Sequence, residues 1–130
     1  MKYMIPLLLA CFLFIACGAR EDSELPSAVD LTPQAQQFVT KLSEGDYTGC
    51  VSEFDATMKS KLPEAKLEEV WKTIIDQVGA YEKQLDMRQT REGGYDVVYI
   101  TCQFEKSKLD VKVVYNTDKE VTGLWFRPTK

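Results

Sequence analysis

A chain of 130 residues, 45% of them hydrophobic and 28% charged, has material for one domain with a substantial core and not for two. Its 16 Lys and Arg stand against 20 Asp and Glu, a net charge of −4, so it lacks the basic footprint that nucleic-acid phosphates call for. It contains no histidine, which removes Ser-His and Cys-His nucleophilic sites and the commonest metal ligand together.

At the N-terminus, Lys2 precedes an apolar run from Met4 to Ala16. That is the length of a signal-peptide core and shorter than the roughly 20 residues of a membrane span, so export is expected. Leu8-Leu9-Ala10-Cys11 and Phe14-Ile15-Ala16-Cys17-Gly18 each resemble the lipobox of bacterial lipoproteins. Cleavage before Cys11 would leave an apolar core of about six residues, where roughly seven are needed. Cys17 has no such difficulty. The resemblance implies that residues 1–16 are a signal peptide and that Cys17 is acylated, which tethers the protein to a bacterial cell envelope. Ordinary cleavage near Ala19, with a freely secreted or periplasmic product, is the other reading, because Phe14 stands where the lipobox usually has leucine. From Cys17 onward, 15 Lys and Arg face 20 Asp and Glu, so the lipid is expected to be the membrane contact. Residues 17–31 are small, polar and aperiodic and read as a flexible tether.

The domain is expected over residues 32–130. Thr32 and Pro33 open a helix with Ala35, Phe38, Val39 and Leu42 on one face and Gly45 as its stop. Asp46 caps a second helix whose stripe is Tyr47, Cys50, Val51, Phe54 and Met58. The third is the best specified. Pro63 suits its first turn, Leu67, Val70, Trp71, Ile74, Ile75 and Val78 recur at the three-four spacing, and Gly79 ends it. Its Glu68 and Lys72 form a favourable i,i+4 pair on a solvated face. Beyond Gly79 the period changes to 2 and turn signals divide the chain into four strands, an antiparallel meander. Tyr81, Leu85 and Met87 alternate in the first, and Arg91 to Gly94 makes a turn. Tyr95 to Phe104 is the strongest strand, apolar on both faces and hence expected to be covered on both. Leu109, Val111, Val113 and Tyr115 pattern the third strand, and Val121 to Phe126 the fourth. Three helices followed by four strands predict an α+β fold with the helices on one sheet face. The other face either curls into a pocket or meets another subunit.

No Gly-x-Ser-x-Gly elbow, phosphate-cradling loop or Cys-x-x-Cys pair occurs, and no metal or cofactor is expected. Cys50 and Cys102 both fall on core faces. Outside the cytoplasm they could bridge, closing a loop of about 50 residues worth roughly 4 kcal/mol; the alternative is two separate buried thiols.

Gly45-Asp46-Tyr47, Phe54-Asp55-Ala56-Thr57-Met58-Lys59, Leu62-Pro63, Lys66-Leu67 with Trp71, Gln77-Val78-Gly79, Tyr95-Asp96-Val97-Val98, Thr101-Cys102-Gln103-Phe104, Leu109 to Val114 and Gly123-Leu124-Trp125-Phe126 resemble the bacterial domain of unknown function 3887. The resemblance implies a cone-shaped α+β domain of the nuclear-transport-factor-2-like, cystatin-like superfamily, with a curved sheet around a helix and an accessory role. It brings no catalytic residues. Trp71, Tyr81, Tyr99, Trp125 and Phe126 then either line a pocket or interface, with Gln77 or Arg88 orienting a polar end, or form core and sheet face. The function expected is non-catalytic: an envelope lipoprotein domain that binds a small ligand or partner protein. The alternatives are a homodimerisation module, or a small isomerase- or hydrolase-like enzyme. The acids and phenols such an enzyme would draw on are Tyr47, Tyr81, Tyr99, Asp46, Asp55 and Asp86. Most of these have bland explanations as caps, core-edge aromatics and solvated surface.

Overall fold

The computed structural model describes residues 29–129. The expected signal peptide, Cys17 and most of the expected tether lie outside the described residues. The fold is α+β: α1 (Thr32–Ser43), α2 (Tyr47–Val51), α3 (Ala56–Lys61) and α4 (Glu64–Val78), then β1 (Tyr81–Glu92), β2 (Tyr95–Phe104), β3 (Lys108–Tyr115) and β4 (Val121–Pro128). The strands form one antiparallel sheet in the order β1-β2-β3-β4, the expected meander. Among the described residues no helix is long and apolar enough to cross a membrane.

Among the described residues four helices are present where the apolar stripe predicts three, and the reason lies at Phe54 and Asp55. Periodicity alone runs one helix from Tyr47 to Met58. Instead, the backbone there leaves the helix to pair with the sheet: Asp55 N donates to Val121 O (2.9 Å) and Val121 N donates to Glu53 O (2.7 Å), with Phe54 in a parallel bridge to Val121. Asp55 then starts α3 afresh, its carboxylate accepting from Met58 N at 2.8 Å. An aspartate inside an apolar stripe was a second N-cap. The stripe itself is kept, since Cys50, Phe54 and Met58 are all buried.

The remaining helices follow their patterns. In α1, Ala35, Phe38, Val39 and Leu42 are buried, and Gly45 takes φ +83° after the last turn. In α4, Leu67 and Trp71 are buried while Ile74, Ile75 and Val78 pack half-buried against the core, and the Glu68–Lys72 pair closes at 2.9 Å. The two-residue turn Gly93-Gly94, with both φ positive, joins β1 to β2 in the geometry that matches sheet twist. The core lies between the helices and one sheet face, formed by Val98, Ile100, Cys102 and Phe104 of β2, Leu109, Val111, Val113 and Tyr115 of β3, and Val121 of β4.

One strand-level expectation changes. The alternation Tyr81, Leu85, Met87 fails because β1 is bulged between Tyr81 and Lys83 and again between Gln84 and Asp86. Leu85 is left 41% exposed, and Gln84 donates from Nε2 to Gln36 O of α1 at 3.1 Å. The chain is also held upstream of α1: Gln89 Nε2 donates to Val29 O (2.9 Å), Leu31 N donates to Gln89 Oε1 (2.8 Å), and Leu31 belongs to the core.

The Tyr115 hydroxyl is buried with no hydrogen-bond partner among the described residues, and burial, reinforced by nearby Glu53, pushes its pKa far up. An unsatisfied buried hydroxyl carries a desolvation cost, so Tyr115→Phe is expected to leave stability unchanged or raise it by about 1 kcal/mol. Urea unfolding checks this, and a clear loss would mean that the hydroxyl is in fact bonded.

Candidate functional site on the open sheet face

Strand alternation sends every second residue of the sheet away from the helices, and the register arranges them in rows. Across one row stand Arg88, Tyr99, Lys112 and Trp125. On one side of it lies the row Asp86, Thr101, Asp110 and Arg127; on the other lies Thr90, Val97, Val114 and Gly123. The central row alternates cation and ring. Arg88 Cζ sits 4.3 Å from the Tyr99 ring centroid and Arg127 Cζ 5.4 Å from the same ring, while Lys112 Nζ lies 5.8 Å from Tyr99 and 5.3 Å from Trp125.

This resolves how the second face of β2 is covered. Val97, Tyr99 and Val114 form a small buried cluster of their own, roofed by side chains of the same face. Long Arg and Lys stems lie over apolar surface while their charged ends stay in water. The phenol of Tyr99 donates to Glu92 Oε2 at 2.6 Å, and Glu92 Oε1 pairs with Lys112 Nζ at 3.2 Å. The Tyr99 hydrogen bond, followed by Lys112, holds the Glu92 carboxyl below its usual range. Trp125, at 52% exposure, lies over Gly123, where a Cβ would strike its indole. Tyr95 is 47% exposed beside it.

Among the described residues, depressions open on this face. One of about 560 Å³ is lined by Arg88, Thr101, Asp110, Arg127, Pro128 and Thr129. Another, about 320 Å³, is lined by Glu92, Tyr95, Val97, Lys112, Val114, Thr122 and Trp125. In the first, Asp110 Oδ1 accepts from Thr101 Oγ1 (2.7 Å) and Thr129 Oγ1 (3.2 Å). The arrangement offers guanidinium donors, a carboxylate acceptor and an apolar-aromatic strip within one surface.

The residues singled out from sequence divide between the two faces. Trp71, Tyr81 and Phe126 are on the helix side, where Trp71 stacks against Tyr81, Phe104 and Phe126 at centroid distances of 6.2, 5.7 and 6.1 Å. Arg88, Tyr99 and Trp125 share the open face. Gln77 is exposed near the end of α4, away from both groups. Lys112, Asp110, Arg127 and Tyr95 were not singled out. The signal for the first three was present, since they take the phase left over once Leu109, Val111, Val113 and Phe126 are assigned to the core.

Of the acids and phenols of an isomerase-type site, Asp86 and Tyr99 stand in neighbouring rows of the open face, while Asp46, Asp55, Tyr47 and Tyr81 lie elsewhere. Asp46 caps α2 through Gly49 N (3.0 Å). Asp55 caps α3, and a hydrogen bond from Thr122, ahead of Met58 N, lowers its pKa. Burial raises the phenols of Tyr47 and Tyr81. Cys50 and Cys102 are separate buried thiols, with Sγ 3.6 Å from Phe38 O and 3.8 Å from Ile100 O, and burial pushes each pKa up to about 12. Among the described residues, no three His, Cys, Asp or Glu side chains gather as a metal site.

No curated protein and no solved structure matches the chain. The model of a protein family of unknown function, DUF3887, matches residues 35–124, a span that takes in the core of α1, all of α2, α3 and α4, and the sheet as far as Leu124 of β4. With more than half of its length inside that family's model, the chain belongs to the DUF3887 family.

Proposed function

We propose that this protein is a non-catalytic, lipid-anchored domain of a bacterial cell envelope that binds a small ligand or a partner protein through the open face of its sheet. The observation that carries the reading is the pairing, on one surface, of exposed Trp125 and Tyr95 with the cation-and-ring row Arg88, Tyr99, Lys112 and Trp125. Rings that are half exposed beside cations are the side chains most enriched where proteins make contact. The helix-side aromatics, by contrast, pack against one another, which favours the open face over an enclosed pocket. Helices on one face of an antiparallel meander are in keeping with a nuclear-transport-factor-2-like domain. Lys2, the apolar run to Ala16 and Cys17 support export and acylation, and net acidity leaves the lipid as the membrane contact.

A second reading, homodimerisation, is favoured by the mixed charge of the same face, where Arg88 and Arg127 accompany Asp86 and Asp110 and allow two copies to complement each other. A native mass spectrum of the mature chain recovered from its own envelope separates these. Added ligand or partner mass that disappears in Tyr95→Ser/Trp125→Ser supports binding through the open face, and a doubled mass that disappears likewise supports the dimer. Added mass retained equally by the double variant contradicts both.

A further inference from the structure

Resting on the open-face reading, we infer that the depression between Arg88 and Arg127 is a binding site for the carboxylate of a flat, apolar acid. The rest of the ligand would extend along a strip formed by exposed Tyr95 and Trp125. Arg88 and Arg127 approach the single ring of Tyr99, with Cζ 4.3 and 5.4 Å from its centroid, and both line the same depression. Among the described residues, neither guanidinium is in an ion pair or donates a side-chain hydrogen bond, whereas Lys41, Lys72, Arg91 and Lys112 each have a carboxylate partner. Arg127 acts on Glu92 only through space, so both forks keep their donors for a planar carboxylate.

The neighbouring depression supplies the other half of the ligand. Tyr95 and Trp125, both about half exposed, give aromatic surface above the buried Val97 and Val114, with Lys112 between the two regions. Lys112 is neutralised by Glu92, so the strip it borders carries little net charge. Asp110, across the register from Arg127, limits the site: its negative charge lines the depression and weakens any anion there. The acid must therefore gain enough from the two forks and from the strip to outweigh that repulsion. Small inorganic anions, lacking the apolar part, are disfavoured.

The test is calorimetric titration of the mature chain with 2-naphthoate, alongside neutral 2-naphthalenemethanol and inorganic phosphate. The expected result is 2-naphthoate binding that weakens at least about tenfold in Arg88→Gln/Arg127→Gln and stays unchanged in Lys59→Gln/Lys61→Gln, which removes the same charge from α3. The neutral alcohol and phosphate should each bind at least about tenfold more weakly. Asp110→Asn keeps an oxygen for the Thr101 and Thr129 hydroxyls and should tighten binding roughly two- to fivefold, a gain that misfolding cannot produce. The inference is overturned by no binding up to about 10 mM, by equal binding in the double variant, by equal binding of the alcohol, or by weaker binding in Asp110→Asn. If these fail while the mass adduct of the mature chain still depends on Tyr95 and Trp125, the carboxylate site falls and the open-face reading stands.

Discussion

Trp71→Ala is expected to cost about 3–5 kcal/mol of stability, a large share of the roughly 5–15 kcal/mol available to a domain of this kind. The indole joins α4 to both outer strands, meeting Tyr81 of β1 and Phe126 of β4 as well as Phe104 of β2. Tyr81 and Phe104 also meet edge-on, with centroids 5.6 Å apart at 82°. Removing the largest member leaves a cavity that the flanking strands cannot close without breaking their ladders, so the transfer loss and the cavity term add. Trp71→Phe refills most of the space and should cost much less. Denaturant titrations of the two variants check the ordering. Were Trp71 the wall of a ligand site and not part of the core, both substitutions would be nearly neutral for stability and would instead alter binding.

The second large effect is expected at the joint between helices and sheet. Gly79 ends α4 at φ +89° and ψ −177°, a region that is essentially glycine's alone and costs another residue about 1–3 kcal/mol. Space is lacking too: a Cβ there would lie 2.6 Å from Glu105 Cβ and 2.9 Å from its Oε1. Glu105 cannot easily yield, because its Oε1 accepts from Ala80 N (2.9 Å) and its own N donates to Ala80 O (3.0 Å), while Lys106 N donates to Val78 O (2.8 Å). Overpacking adds to the backbone strain, and Gly79→Ala should destabilise by roughly 2–4 kcal/mol. At about 4–8 °C per kcal/mol, the melting temperature should fall by about 8 °C or more. Gly93→Ala provides the contrast, since no atom lies within 4 Å of a Cβ there and only the positive φ is penalised.

Much of this fold is legible in the residue pattern. Leu67 and Trp71, set between Pro63 and Gly79, define α4 because a three-four apolar stripe with a stop at each end admits few other structures. The β2–β3 pair is equally clear, because Val98, Ile100, Cys102 and Phe104 and then Leu109, Val111, Val113 and Tyr115 each keep a strict period of 2. Two features were less legible. Asp55 could be read as a polar residue on a continuous helix or as a cap, and the choice depends on the long-range bonds of Glu53 and Asp55 to Val121, which no local pattern announces. The bulges of β1, an edge strand beside α1, are likewise announced by no local pattern, and they reversed the orientation expected of Leu85. The site was half legible. Arg88, Tyr99 and Trp125 could be marked as chemically notable, but aromatic character alone put Trp71, Tyr81 and Phe126 with them. Only the face assignment separates the two groups, and it also brings in Lys112, Asp110 and Arg127.

The claim that the open face is the working surface is tested most directly by a photo-activated cross-linking residue placed at position 125, in intact cells, compared with the same residue at position 69 on the exposed side of α4. The account predicts a discrete cross-linked product from position 125 and none from position 69. Cross-linking from position 69 alone, or equal cross-linking from both, would contradict it.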